Sequence, residues 1–258
     1  LGTIGYQWQA NGVSIGGATG STFTLTEAQV GKTITVVASY TDGHGTTESK
    51  ASAATAAVAN VNDAPIAVNN TLDTVEDTAL TITPATLLAN DSDVDGDTLT
   101  IASVQGAVNG TVALVNGNVV FTPAANYNGT ASFTYTVSDG HGGTSTATVN
   151  VVVAPVNDAP TGSFTISGMA ALGQTLSAAN NLADADGLGT ISYQWQADGA
   201  NIGGATGSSY TLTSAEVGKA IKVVASYTDG HGTAEAVSSS ATGAVVNVNS
   251  APTGSVTI

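Results

Sequence analysis

Alternating aspartates mark the segment with the clearest capacity for chemistry. Asp91, Asp93, Asp95 and Asp97 occupy every second position and surround a single glycine. Calcium binds about six to eight oxygen atoms, which carboxylates, carbonyls and water supply. The segment therefore predicts a calcium site, although Asp-Gly pairs also form ordinary turns that bind nothing.

The same segment begins like the calcium loop of an EF-hand but does not continue as one. Its twelfth position holds Ala102, where an EF-hand has glutamate. No helical pattern flanks the segment, so we reject an EF-hand and expect the ligands to come from the loops of another fold.

The charge distribution leaves these carboxylates without basic partners. The chain of 258 residues has a formal net charge of -15, and no Lys or Arg lies between Lys50 and Lys219. Carboxylates in that stretch either point separately into water or are neutralised by an external cation. With only 4 basic residues, the chain is not expected to bind nucleic acid, which requires clustered Lys or Arg.

Composition also restricts other kinds of site. The absence of Cys excludes disulfides, thiolate zinc sites and a Cys nucleophile. No apolar run reaches the roughly 18–20 residues of a membrane helix, so we expect no membrane contact by this segment.

The histidines all lie in Asp-Gly-His-Gly and are interpreted as turn residues. We predict no enzyme activity, because histidines and carboxylates that recur in repeated loops do not form one unique active site.

An internal repeat organises the chain. Residues 1–65 align without gaps on residues 188–252, and most positions are identical. The segment Val-Asn-Asp-Ala-Pro occurs at 61–65 and 156–160, and it recurs at 248–252 with Ser250 in place of the aspartate. These markers predict modules at 1–60, 61–157, 158–247 and 248–258. Both ends fall inside the repeat, so we expect a segment of a longer protein.

Apolar residues alternate with polar residues in most of the chain, which is typical of half-buried strands. Phe133, Tyr135 and Val137 are expected to face the core, and Ile221 and Val223 show the same pattern. Turns rich in Gly and Asp separate such runs. The predicted fold is all-β, with tandem sandwiches of about seven strands each. One helical turn is expected within 213–217.

Two segments carry a resemblance to immunoglobulin domains. Tyr6-Gln-Trp-Gln recurs as Tyr193-Gln-Trp-Gln, and the run from Tyr210 to Val223 resembles the corner between the fifth and sixth strands of an Ig domain. Residues 1–60 and 161–247 therefore resemble bacterial Ig-like repeats, with 1–60 as the C-terminal part of one module. The resemblance implies that Trp8 and Trp195 belong to the core rather than to a carbohydrate platform.

Four segments of the intervening module carry a second resemblance. They are Val75-Glu-Asp-Thr78, the run from Leu88 to Thr100, the run from Phe133 to Gly140, and Val156-Asn-Asp-Ala-Pro160. Together they resemble the cadherin-like repeats of giant RTX-type bacterial surface adhesins. No Gly-Gly-x-Gly-x-Asp array is present, so the segment is not an RTX β-roll. The resemblance implies Greek-key sandwiches in an elongated array.

Sandwich topology predicts where the ligands converge. The loop after the second strand and the loop between the last two strands lie at the end that receives the preceding linker. We therefore expect Asn62, Asp63 and Asp139 beside the alternating aspartates. Resemblance to cadherins places Glu76 at the opposite end. The predicted ligands of that second junction are Glu76, Asn157, Asp158, Asp184, Asp186 and Asp229.

The resemblance also implies a function. The chain would form extracellular, calcium-stiffened extender repeats of a bacterial adhesin that is secreted by a type I system. The repeats would project an adhesive tip for attachment and biofilm formation, and their partners would be neighbouring repeats of the same chain. One alternative is a structural filament, sheath or matrix fibre that assembles by lateral self-association. Another is a glycan-binding module, which would need a flat face or an aromatic platform.

Overall fold

The structure, a computed structural model, describes residues 2–248, and its regular secondary structure is almost entirely β-strand. Strands account for 48% of the chain and helices for 5%, which confirms the all-β prediction. The predicted module start at 248–258, including Ser250, lies outside the described residues except for Val248. The strands are β1 Gly5–Ala10, β2 Val13–Ser14, β3 Ile34–Thr41, β4 Thr47–Ala51, β5 Asn70–Val75, β6 Leu80–Ile82, β7 Thr100–Val108, β8 Gly110–Val115, β9 Asn118–Pro123, β10 Gly129–Ser138, β11 Thr144–Ala154, β12 Phe164–Ser167, β13 Thr175–Asn180, β14 Ser192–Ala197, β15 Ala200–Asn201, β16 Ser209–Thr211, β17 Ile221–Thr228 and β18 Ala234–Ser238.

Between residues 2 and 248, helical structure is confined to short turns. The α-helix α1 spans Pro84–Leu87, and single 3-10 turns span Glu27–Gln29, Leu88–Asn90 and Ser214–Glu216. The last of these is the helical turn expected within 213–217. Thr213 and Glu216 form a capping box there, in which each side chain bonds the backbone of the other residue. None of the described helices is long or apolar enough to cross a membrane.

Two sheets form the middle of the chain, with strand orders β5-β11-β10-β7 and β6-β9-β8. Phe133, Tyr135 and Val137 on β10 are fully buried, as the alternation predicted. Phe121 on β9 stacks on Phe133 with ring centroids 5.7 Å apart, so the two sheets share one core.

The two Ig-like segments differ in how completely their cores are covered. In residues 161–247, the sheet β12-β13-β16 and the sheet β15-β14-β17-β18 enclose Trp195, which is 0% exposed. Described residues up to 60 supply only the sheet β2-β1-β3-β4, and Trp8 is half-buried. Likewise Ile221 and Val223 are buried, whereas the equivalent of Val223 is the half-buried Val36.

The chain divides into two compact units. One contains the residues up to Thr74 together with Ala79–Pro123 and Thr130–Val152; the other contains Val75–Thr78, Ala124–Gly129 and the residues from Val153 onward. Each predicted ligand group therefore lies within one unit. The module boundaries drawn from the repeat remain predictions.

Candidate metal centre

The linker at 61–65, here called the first linker, lies against two loops of the first unit. Helix α1 and the turn Leu88–Asn90 lead into the aspartate loop at 91–97, and the hairpin between β10 and β11 supplies a loop at 139–143. The backbone N–H of Asp63 donates to Asp95 Oδ2 at 2.7 Å, and Asn62 Nδ2 donates to Asp139 Oδ2 at 2.8 Å. The structure thus brings linker and loops together as expected.

Asp93, Asp95 and Asp97 form the core of this first site. One carboxylate oxygen from each lies within 4.8 Å of the others. Asp93 Oδ1 also accepts the backbone N–H of Asp95 at 2.8 Å, which closes the turn around Gly96. Three carboxylates held this close repel one another unless a cation lies between them.

Asp91 is not among the carboxylates grouped within 4.8 Å of one another, and it anchors the loop to the sandwich. Its carboxylate accepts the backbone N–H of Val68 at 2.7 Å and the hydroxyl of Tyr135 at 3.0 Å. Burial raises the pKa of Tyr135 well above its usual range, and the bond to the negatively charged Asp91 raises it further. The hydroxyl therefore remains a donor at neutral pH, so Asp91 is occupied in positioning the loop.

Asp139 is buried, at 2% exposure, and both of its oxygens have partners. Its Oδ1 accepts the backbone N–H groups of His141 and Gly143 at 2.7 Å and 3.0 Å. The Asn62 amide is the main cause that lowers the pKa of Asp139 below its ordinary value; burial opposes it, and the backbone bonds support it.

Glu27 is a residue that sequence reasoning missed. Its carboxylate lies with those of Asp63 and Asp95 in a group of three whose oxygens are within 4.8 Å of one another. A signal for it exists in the repeat, because the aligned copy has Ser214 and Ser250 at the positions of Glu27 and Asp63. The two carboxylates are replaced together, as expected if both serve one site.

The second unit contains an arrangement of the same kind around the linker at 156–160, here called the second linker. The backbone N–H of Asp158 donates to Asp186 Oδ2 at 2.6 Å, and Asp184 Oδ1 accepts the backbone N–H of Asp186 at 2.9 Å. Asp184 also accepts the hydroxyl of Tyr227, whose pKa is raised by burial and by that bond. Asp184 thus both closes the turn and anchors the loop.

Glu76 and Asp229 complete the second site, with exposures of 2% and 7%. Glu76 Oε1 accepts the backbone N–H of Val156 at 2.5 Å. Burial raises the pKa of Asp229, but backbone N–H groups of Thr233 and His231 outweigh it, and the net pKa is lowered. Asn157 turns away from this group and donates to Glu235 Oε1 at 2.9 Å.

Buried oxygens without partners distinguish these groups from ordinary acidic turns. Among the described residues, five buried side-chain oxygens have no hydrogen-bond partner, and burial of an unpaired charged group is costly. All five belong to predicted ligands, and the set fits a hard cation that binds oxygen. They are Glu76 Oε2, Asp93 Oδ2, Asp95 Oδ1, Asp158 Oδ2 and Asp229 Oδ2.

The histidines occupy turns as interpreted, yet two of their rings also touch the sites. The backbone N–H of His141 and that of His231 each donate to the aspartate two residues earlier. In addition, His141 Nδ1 lies 3.0 Å from Asp97 Oδ2, and His231 Nδ1 lies 3.0 Å from Asp186 Oδ1. Repetition of the loop concealed this contact, because the partner aspartates come from elsewhere in the chain.

Comparison with known families identifies the segment around the first site. Residues 61–154 match the family model of the cadherin-like domain. The middle of the chain is therefore cadherin-like, as the resemblance implied. A comparison with curated proteins found no match.

Several solved structures are similar to the chain at low identity. Human CDH23 EC21-23 is 16% identical, with 95% of this chain and 88% of that chain covered and a TM-score of 0.48. Mouse Cadherin-23 EC22-24 is 14% identical, with 95% and 86% covered and a TM-score of 0.45. Mouse clustered PcdhgC3 EC1-3 is 13% identical, with 95% and 89% covered and a TM-score of 0.45.

Proposed function

We propose that this chain is a run of calcium-stiffened extender repeats from a large bacterial surface adhesin of the RTX type. Such repeats would be secreted by a type I system and would project an adhesive tip for attachment and biofilm formation. The assignment of calcium rests on the five buried carboxylate oxygens that have no hydrogen-bond partner, every one on a predicted ligand.

The residues at each linker have separate tasks. Asp93, Asp95 and Asp97 hold an ion at the first linker, with Asp63 and Glu27 beside them. At the second linker, Glu76, Asp158, Asp186 and Asp229 hold it, and Asp184 positions the loop. A bound ion supplies positive charge that offsets the repulsion among these carboxylates. The linker then keeps one orientation because its own aspartate shares the site.

The cellular setting follows from chemistry and resemblance together. Extracellular calcium modules bind at about 10⁻⁴–10⁻³ M, a concentration found outside cells and not in cytosol. The cadherin-like match of residues 61–154 supports an extracellular, adhesion-type repeat. The bacterial adhesin assignment comes from the segments that resemble adhesin extender repeats.

Thermal unfolding in calcium and in chelator tests the calcium part. A ligand that binds only the folded state at 100 times its Kd adds about 2.7 kcal/mol per site, so the melting temperature should rise clearly in calcium. Glu76→Gln should reduce that rise, whereas Glu48→Gln, which changes an exposed carboxylate on β4, should not. Equal melting temperatures in calcium and chelator would refute calcium binding.

Electron microscopy of longer repeat arrays in calcium tests the extender role. Single, separate rods are expected from extender repeats. Bundles or regular filaments would contradict that role and support a structural fibre instead.

A further inference from the structure

The two linkers contain the same five residues but are held differently. Val-Asn-Asp-Ala-Pro occupies both 61–65 and 156–160. In each linker the aspartate N–H donates to an aspartate of the following loop, Asp95 at 2.7 Å or Asp186 at 2.6 Å. Any difference between the linkers must therefore come from their surroundings.

At the first linker, groups of the protein itself already bond to both carboxylate oxygens of Asp139, the buried aspartate of the hairpin. Asn62 Nδ2 donates to Asp139 Oδ2 at 2.8 Å, so an amide takes the place that a cation could take. The linker backbone also packs directly on the hairpin. A Cβ on Gly143 would overlap Asp139 and lie 2.8 Å from Ala64 Cα.

At the second linker, the corresponding groups are left open. Asp229 is the equivalent of Asp139, and its Oδ2 has no partner. Asn157 donates instead to Glu235, 2.9 Å away. Thr233 stands where the first site has Gly143, so a side chain occupies the position that Ala64 approaches in the first linker.

Among the described residues, three buried oxygens without hydrogen-bond partners lie at the second linker and two lie at the first. Glu76 Oε2, Asp158 Oδ2 and Asp229 Oδ2 are all buried without partners. At the first linker, the buried oxygens without partners belong to the loop residues Asp93 and Asp95. The side chains of the linker residues Asn62 and Asp63 contribute none.

We propose that the two linkers depend on calcium to different degrees. The first is held in place by Asn62, Asp139 and Gly143 without an ion, and calcium only reinforces it. The second is ordered only when calcium is bound. The array would then contain one linker that is ordered with or without calcium and one that is ordered only when calcium is bound. This inference rests on the proposed calcium function.

Amide hydrogen exchange at residue resolution tests this difference in the whole chain. The identical linker sequences give the Asp63 and Asp158 amides the same intrinsic exchange rate, so their protection can be compared directly. In chelator, exchange at Asp158 should accelerate by about tenfold or more, while exchange at Asp63 should change by less than about threefold. Equal acceleration at both amides would overturn the proposal.

Matched variants separate the hairpin contacts from general instability. Asn62→Ala and Gly143→Thr, which copies Thr233, should each make the Asp63 amide as sensitive to calcium as that of Asp158. Asn157→Ala should leave the ratio of the exchange rates in chelator and in calcium unchanged at both amides, because Asn157 donates to Glu235 and not to the hairpin aspartate. If Asn62→Ala leaves Asp63 insensitive to calcium, the proposal is wrong.

Calorimetric titration with calcium distinguishes this proposal from the function on which it rests. If calcium binds and both linkers respond alike, only the inequality between linkers fails. If no calcium binds, the proposed function fails and the inequality fails with it.

Discussion

Glu27 is the one carboxylate of the first site that comes from the preceding Ig-like segment. Its group with Asp63 and Asp95 predicts that Glu27→Ser, which copies Ser214, weakens calcium binding at the first linker by about tenfold, because ligand charge count sets the affinity of such sites. Terbium luminescence, displaced by calcium, measures the affinity. Ser214→Ala is the control and should change nothing, while an unchanged affinity in Glu27→Ser would mark Glu27 as a surface charge.

Glu216 illustrates a buried carboxylate whose task is local. It accepts the backbone N–H of Thr213 at 2.8 Å, and the aligned Gln29 does the same for Thr26 at 3.0 Å. Burial raises the pKa of Glu216, but bonds from Thr213 and Tyr210 and the charge of Lys219 outweigh it, so its pKa is lowered. Its contribution to stability is therefore present above the pKa of an unfolded glutamate, roughly 4.3, and is lost as pH falls through the lowered value.

Substitution of Glu216 tests that contribution. Glu216→Gln should keep the capping box, as Gln29 does, and should lose the part of the acid sensitivity that Glu216 supplies. Glu216→Ala should cost about 1–2 kcal/mol, because the N–H of the N-cap residue Thr213 loses its side-chain acceptor. Urea unfolding between about pH 3 and pH 7 measures both variants. An identical pH profile for the wild type and Glu216→Gln would contradict the assignment.

Some residues of the candidate sites could be predicted from sequence because their spacing is itself the signal. The alternating aspartates and the repeated Asn-Asp linker identified Asp93, Asp95 and Asp158 in this way. The position of Asp91 could not be predicted, because it depends on the Tyr135 hydroxyl, which alternation assigns only to the core. Contacts between distant segments, such as His141 with Asp97, likewise depend on how the loops meet.

At the scale of strands, alternation identified which face is buried but not how well it is covered. The run Ile34 to Tyr40 closely resembles Ile221 to Tyr227, yet only Ile34 is buried in the first copy, whereas Ile221, Val223, Ala225 and Tyr227 are all buried in the second. The sequence of a strand sets the face to which each side chain points, whereas a second sheet packed on that face determines how exposed the side chain is.

Trp8 and Trp195, which are equivalent in the repeat, allow that difference in burial to be tested. Trp195 is 0% exposed and its Nε1 donates to Gly207 O at 2.9 Å, whereas Trp8 makes the equivalent bond to Gly20 O at 2.9 Å but stays half-buried. Trp195→Ala should therefore cost about 3–5 kcal/mol, and Trp8→Ala markedly less. Equilibrium unfolding by circular dichroism measures the two, and equal losses would show that strand sequence alone determines packing.

For the molecule as a whole, the decisive quantity is the spread of distances between modules. Calcium stiffening predicts that this spread is broad in chelator and narrows in calcium, because a shared site restricts the linker. The chain has no Cys, so engineered pairs are the only labelling positions. Ser14→Cys with Thr122→Cys reports on the first linker, and Thr122→Cys with Asn201→Cys reports on the second; all three positions lie on exposed strand surfaces.

Pulsed electron resonance of spin labels at these pairs measures both distributions in one protein. If calcium acts unequally, the second pair should narrow strongly when calcium replaces chelator, and the first pair should already be narrow. If neither distance distribution narrows although the melting temperature rises as expected, calcium stabilises the modules without orienting them. The carboxylates would then serve folding alone, and the extender mechanism would have to be abandoned even though the sites bind calcium.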